Sequence, residues 1–275
     1  TTRRGIAPHV VGRTVRDVIV RERRLRWPVP KDIAARLRGR RIDAVRRRAK
    51  YLLLDTGAGT VILHLGMSGS LRIVAADAAP QPHDHLDIVL DDGQALRLRD
   101  PRRFGSLHWS TDPARHPLLR ALGPEPHDAA FDGAYLHARA AGRRQAVKSF
   151  LMDAHVVVGV GNIYASESLH AAGIHPRRPA GRVARARYAA LAREVVTVLD
   201  AAIDAGGTTL RDFVSAHGEP GYFRMDLKVY ERASGPLAPG ERMPVVHGFQ
   251  QRHEKLHARH LQLTSRTTHT HTQHG

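Results

Sequence analysis

The pattern of apolar residues changes character once along this chain, at the string LGPEP (122–126), and that change divides what the chain can fold into. Before it, short runs suited to strands occur at 14–21, 50–55, 60–65, 70–74, 86–90 and 95–99, after an opening segment, 1–11, with helical spacing. DTGAG (55–59) and DDG (91–93) are hairpin signals, so this half predicts an antiparallel β-sandwich. From Asp132 the spacing is helical, with predicted helices at 133–140, 146–152, 163–172, 184–206 and 208–215. Strands followed by helices define an α+β, multidomain chain. The expected division is 1–120 for the sandwich, 121–131 for a hinge, 132–226 for a helical domain, 227–262 for a further segment and 263–275 for a polar tail. That tail, rich in histidine, is expected to be disordered.

At 275 residues with 42% hydrophobic content, the chain is long enough for two cores. Its 43 Lys and Arg against 26 Asp and Glu leave a net charge of +17, which suits a polyanionic partner whose phosphates release counterions. A genome favouring arginine codons would give the same bias. No apolar run approaches the ~20 residues of a membrane span and no signal-peptide pattern opens the chain, so a cytoplasmic, nucleoid-associated location is expected. The absence of cysteine excludes disulfides and thiolate metal sites.

The run VVGVGNIYASESLHAAGIHP (157–176) joins two glycine turns to an amphipathic helix. Gly159 and Gly161 permit backbone angles that other residues resist, and Asn162 is expected to cap a helix beginning near Ile163. Free N–H groups at such a helix start attract an anion. Ile163, Leu169 and Ile174 would serve the core.

This string resembles the helix-two-turns-helix element of bacterial formamidopyrimidine-DNA glycosylases, base-excision repair enzymes related to endonuclease VIII. The resemblance continues, in order, through RRAKYLLL (47–54), HLGMSGSLR (64–72), HDHLDIVL (83–90), DPRRFG (100–105), LGPEP, GGTTLRDF (206–213) and PGYF (220–223). It implies a bifunctional glycosylase and AP lyase for oxidised purines, chiefly 8-oxoguanine and ring-opened formamidopyrimidines, acting as a monomer on damaged double-stranded DNA. A non-catalytic binder of abasic or bent DNA is the alternative from another class, and a general nucleic-acid-binding protein is a third.

Removing a base from duplex DNA requires extruding the nucleotide, filling the gap and gripping the bent backbone. The resemblance implies that Met67, Arg102 and Phe104 fill the gap; core packing is the ordinary use of such a methionine. It gives backbone gripping to Asn162, His83, Arg143 and Lys148, with Arg252 at a finger turn, and makes Lys50 a phosphate contact or proton donor. Arg103 is read as an internal ion-pair partner and Glu167 as a helix-surface or structural ion pair. The stretch 215–223, with Ser215, Gly218, Pro220, Gly221, Tyr222 and Phe223, resembles the lid over the flipped base.

Two departures stand out. Family members begin with a proline, whose secondary amine is the nucleophile, followed by a proton-handling glutamate in a PELPEVE-like segment. The sequence here starts at Thr1, so a polypeptide of this sequence is expected to be severely impaired in base excision. The family also carries a four-cysteine zinc hairpin near the C-terminus. Counted from Val229, its ligand positions fall on Leu237, Gly240, His257 and His260, half a set, so structural zinc is not expected. Divergence and a shifted reading frame after about Tyr230 both account for this degenerate zinc-finger-like segment. HEKLH (253–257) matches a metalloprotease motif, but a tail this rich in histidine produces it by coincidence.

Overall fold

The computed structural model describes residues 2–204 and 228–230. Helix α1 (Thr2–Val10) opens the first lobe and buries Ile6 and Val10 against the sheets. Strand β1 (Val15–Val20), helix α2 (Ile33–Leu37) and strands β2 (Ile42–Arg48), β3 (Tyr51–Thr56), β4 (Gly59–His64), β5 (Ser70–Ala75), β6 (Asp84–Leu90), β7 (Gln94–Arg99) and β8 (Ser106–Ser110) follow. They form two four-stranded antiparallel sheets, ordered β1-β6-β7-β5 and β2-β3-β4-β8. Val15, Leu52, Leu54, Val61, Leu63, Leu86, Ile88 and Leu98 come from both sheets and meet in one core, which makes the lobe a sandwich.

The helical lobe contains α3 (Gly133–Ala140), α4 (Val147–Leu151), α5 (Asn162–Ala171) and α6 (Arg185–Asp204). Asp132 caps α3, its carboxylate accepting from the Tyr135 N–H at 2.7 Å. A Cβ at Gly133 would stand 2.4 Å from Ala189 Cα, so glycine allows α3 to touch α6 directly. Phe150, Val160, Leu169, Tyr188 and Leu191 fill this second core, and the Tyr188 hydroxyl donates to the Ala180 carbonyl at 2.9 Å.

Each strand foreseen in the sequence is present, but β2, β8 and α2 were not foreseen. In β2 the sequence IDAVRRR ends in three arginines that hide the buried positions Ile42 and Val45. Those charges are neutralised by partners distant in sequence: Arg46 pairs with Asp55, and Arg47 and Arg48 with Glu125. The predicted helix 208–215 and the polar tail lie outside the described residues.

Candidate nucleic-acid interface

The β2–β3 hairpin closes on the pair Arg48 and Tyr51, which leaves Ala49 and Lys50 as its turn. Lys50 was expected in a strand; its place in the turn projects it toward the other lobe. A Cβ at Gly161 would lie 3.0 Å from Lys50 Nζ, so the ammonium rests against the start of α5. Lys50 remains exposed in this cleft, yet the surrounding protein strips enough water to lower its pKa below the usual lysine value. An ammonium and a helix N-terminus are both positive, and both are relieved by an anion between them.

The glycine turns work differently from the sequence expectation. Gly159 adopts φ +82°, which requires glycine, whereas Gly161 has an ordinary φ of −98° and is small because Lys50 takes the space. Gly161, not Asn162, is the N-cap of α5, and no side chain caps the helix. Asn162 is therefore the first helical residue, its amide donating to the Tyr230 hydroxyl at 3.5 Å.

From this corner the chain leads to the proposed gap-filling residues. Tyr51, next to Lys50, pairs in register with His64, whose Nδ1 accepts the Gly66 N–H at 2.9 Å. Burial, with the charges of Lys50 and Arg26, pushes His64 down to about 4, so it is neutral at pH 7. Gly66, at φ +66°, packs its α-carbon on the Phe104–Gly105 backbone: a Cβ there would stand 2.6 Å from the Phe104 carbonyl carbon. The turns bearing Met67 and Phe104 thus interlock. Buried Asp100 fastens both, accepting from the Ser68 hydroxyl and the Gly105 N–H, each at 2.7 Å. Ser68 in turn accepts the Arg102 N–H at 3.2 Å.

What these turns display is exposed. Met67 is 59% accessible and Phe104 43%, whereas the other large apolar side chains among the described residues are mostly buried. Arg102 lies over the Phe104 ring, 4.6 Å from its centroid, a cation-π stack that presents guanidinium and ring together. Arg103 turns away toward Glu22 at 3.6 Å, an internal pair as its sequence position suggested. His83 is exposed at φ +75°, and its carbonyl accepts the Asp100 N–H at 3.0 Å, so it borders the same clamp.

Lys148 and Arg143 lie on and before α4. Burial lowers the Lys148 pKa, while Arg143 stacks on Phe150 at 5.8 Å and donates to the Arg139 carbonyl at 3.0 Å. Glu167 is not a surface ion pair: it is 5% exposed and accepts the backbone N–H groups of Lys228, Val229 and Tyr230 at 2.9, 3.0 and 2.9 Å. Ser215, Gly218, Pro220, Gly221, Tyr222, Phe223, Arg252, His257 and His260 lie outside the described residues. Sequence reading missed Glu125 and Asp100 as organisers, although both stand inside quoted strings, because their partners are far away in the chain.

Among the described residues no His, Cys, Asp and Glu cluster could hold a metal, and no helix is long and apolar enough to cross a membrane. The zinc that the resemblance implies does not fit the C-terminal donor set, since Leu237 and Gly240 offer no ligand atom and the chain has no cysteine.

A β-sandwich joined to a helix-two-turns-helix lobe, with a cationic corner between them and an apolar, arginine-bearing tip beside it, defines a two-lobed α+β protein whose corner suits an anion. The profile of the formamidopyrimidine-DNA glycosylase N-terminal domain matches residues 1–107, and that of the formamidopyrimidine-DNA glycosylase H2TH domain matches 122–214. The formamidopyrimidine-DNA glycosylase of Methylococcus capsulatus is 61% identical over 237 residues, 86% of this chain and 88% of that protein. The Pseudomonas aeruginosa protein of the same name is 60% identical over 232 residues, covering 84% and 86%. The Lactococcus lactis enzyme bound non-covalently to DNA containing an AP site superposes with a TM-score of 0.70 at 30% identity, over 75% of this chain and 80% of that one. A mutant of that enzyme in complex with Fapy-dG DNA gives 0.73 at 28%, over 79% and 81%. The chain belongs to the formamidopyrimidine-DNA glycosylase family, a family of enzymes.

Proposed function

We propose that this protein acts as a monomer in base-excision repair, binding damaged double-stranded DNA between its lobes and removing oxidised purines, 8-oxoguanine and formamidopyrimidines, with cleavage at the resulting abasic site. The observation that carries this reading is the meeting of Lys50 with the N-terminus of α5 beside the exposed tip of Met67, Arg102 and Phe104. A phosphate held by Lys50 and the α5 N–H groups anchors the strand at the lesion. Met67 then enters the vacated stack, and Arg102 hydrogen-bonds the orphaned base while Phe104 supports its neighbour. Its substrate would put the protein with the chromosome, in the cytoplasm.

The chemistry at the sugar needs an amine nucleophile, which in this family is the N-terminal proline. Its attack on the anomeric carbon expels the base and leaves a Schiff base, from which loss of a sugar proton drives out the phosphate leaving group. A polypeptide without that proline is therefore the control that separates lesion recognition from turnover. The test is borohydride trapping on duplexes carrying 8-oxoguanine or an abasic site, with gel shifts alongside. It compares the chain starting at Thr1 with one extended by PELPEVE. Binding by both and trapping by the extended chain alone is expected. Equal trapping by both would move the nucleophile to another amine, and binding that ignores the lesion would overturn the repair reading.

A further inference from the structure

The Lys50 turn is held from outside its own hairpin. Ala49 adopts φ +55°, a conformation that residues with a side chain resist, and the peptides on both sides of it are tied down. Its N–H donates to Glu125 Oε1 at 2.7 Å, and its carbonyl accepts from Arg47 Nη1 at 2.9 Å. Arg47 also reaches Glu125 Oε2 at 2.8 Å. Arg48 adds a fork to the hinge, donating to the Leu122 and Gly123 carbonyls at 3.1 and 2.6 Å and to Glu125 Oε1 at 3.3 Å. Leu122, Gly123 and Glu125 all belong to LGPEP.

The hinge is equally fixed to the other lobe. The Gly123 N–H donates to the Ala154 carbonyl at 2.8 Å, and the Pro124 carbonyl accepts the Val158 N–H at 3.1 Å. A Cβ at Gly123 would stand 2.7 Å from the Val156 carbonyl, so no side chain fits between the hinge and this part of the helical lobe. Three residues beyond Val158 comes Gly161, against which Lys50 Nζ rests. The path closes on itself: Lys50, Ala49, Glu125, Pro124, Val158, Gly161 and back to Lys50.

We propose that Glu125 is a positioning residue for the phosphate grip. By holding Ala49 in its left-handed conformation and joining the turn to the hinge, its carboxylate keeps the Lys50 ammonium at the start of α5. Glu125 touches no phosphate; it fixes the distance between two phosphate donors carried by different lobes. The inference rests on the phosphate-binding reading of Lys50 given above.

The experiment measures binding of the full chain to a duplex bearing a tetrahydrofuran abasic-site analogue, across a range of salt concentrations. Glu125→Gln, Lys50→Met, Arg47→Met and the two pairings with Lys50→Met are compared, with thermal melting as the control for folding. Glu125→Gln is expected to weaken binding about tenfold and to flatten the log–log salt dependence by about 0.9, one phosphate contact. In the Lys50→Met background neither Glu125→Gln nor Arg47→Met should weaken binding further. Losses that add to that of Lys50→Met, or an unchanged salt slope, would reduce Glu125 to a structural tie and overturn the proposal. Wild-type affinity and slope in Lys50→Met would instead overturn the phosphate reading itself, and this inference with it.

Discussion

At Gly161 glycine is needed for the volume it leaves to Lys50, and the consequence is measurable. Gly161→Ala puts a methyl 3.0 Å from Nζ and should push the ammonium off the helix start. About fivefold weaker DNA binding is expected, with a stability loss of about 1 kcal/mol from the poorer N-cap. In a Lys50→Met chain the same change should leave binding alone and cost only stability, as titration and melting will show. Met67 makes the opposite kind of case, since a side chain 59% exposed contributes little to the fold. Met67→Ala should leave the melting temperature unchanged, lower affinity for lesion DNA about tenfold and affect undamaged duplex far less. Equal losses on both duplexes would favour the general nucleic-acid binder. Sequence alone singled out Lys50, Met67, Arg102, Phe104 and Asn162, through their strings. It misjudged Asn162 as a cap and Glu167 as a helix-surface or structural ion pair, because helix register and the approach of 228–230 depend on distant chain.

The interlocked turns after β4 and β7 behave as one element, since Asp100 supplies an acceptor to each and is itself wholly buried. Asp100→Ala would strand the Ser68 hydroxyl and the Gly105 N–H in a dry site. A loss of about 3 kcal/mol is expected from two orphaned donors, seen in denaturant melts, together with faster proteolysis within HLGMSG. Unchanged proteolysis there would show that backbone packing at Gly66 suffices. Strand periodicity made most of the sandwich legible, because β1 and β3 to β7 carry apolar residues in runs. β2 escaped because three of its seven residues are arginines, and their neutralisation by Asp55 and Glu125 is a tertiary event. β8, SLHWS, is short and polar in part, and becomes a strand only because β4 offers it an edge.

Across the whole molecule, two half-buried imidazoles couple stability to pH. Burial holds His64 down to about 4, aided by the Lys50 and Arg26 charges, and burial beside His116 does the same to His108. Unfolding returns each toward 6.5, so between pH 6.5 and 4 the unfolded chain binds more protons and stability falls as pH falls. His64→Asn retains an acceptor for the Gly66 N–H and should recover about 2 kcal/mol of that acid loss, read as a flatter plot of melting temperature against pH. A slope unchanged by the substitution would show that other groups carry the acid sensitivity. The sequence by itself determined the two-lobed α+β plan and the net positive charge, because periodicity, charge and turn chemistry are local properties, and its resemblance to the family identified the motifs. Only the tertiary structure decided that Lys50 reaches Gly161, that Glu125 ties the Lys50 turn to the hinge, and that Asp100 binds two turns into one tip. Those depend on which distant segments pack together, and a carboxylate becomes an organiser only when folding brings donors to it and excludes the water that would otherwise serve them.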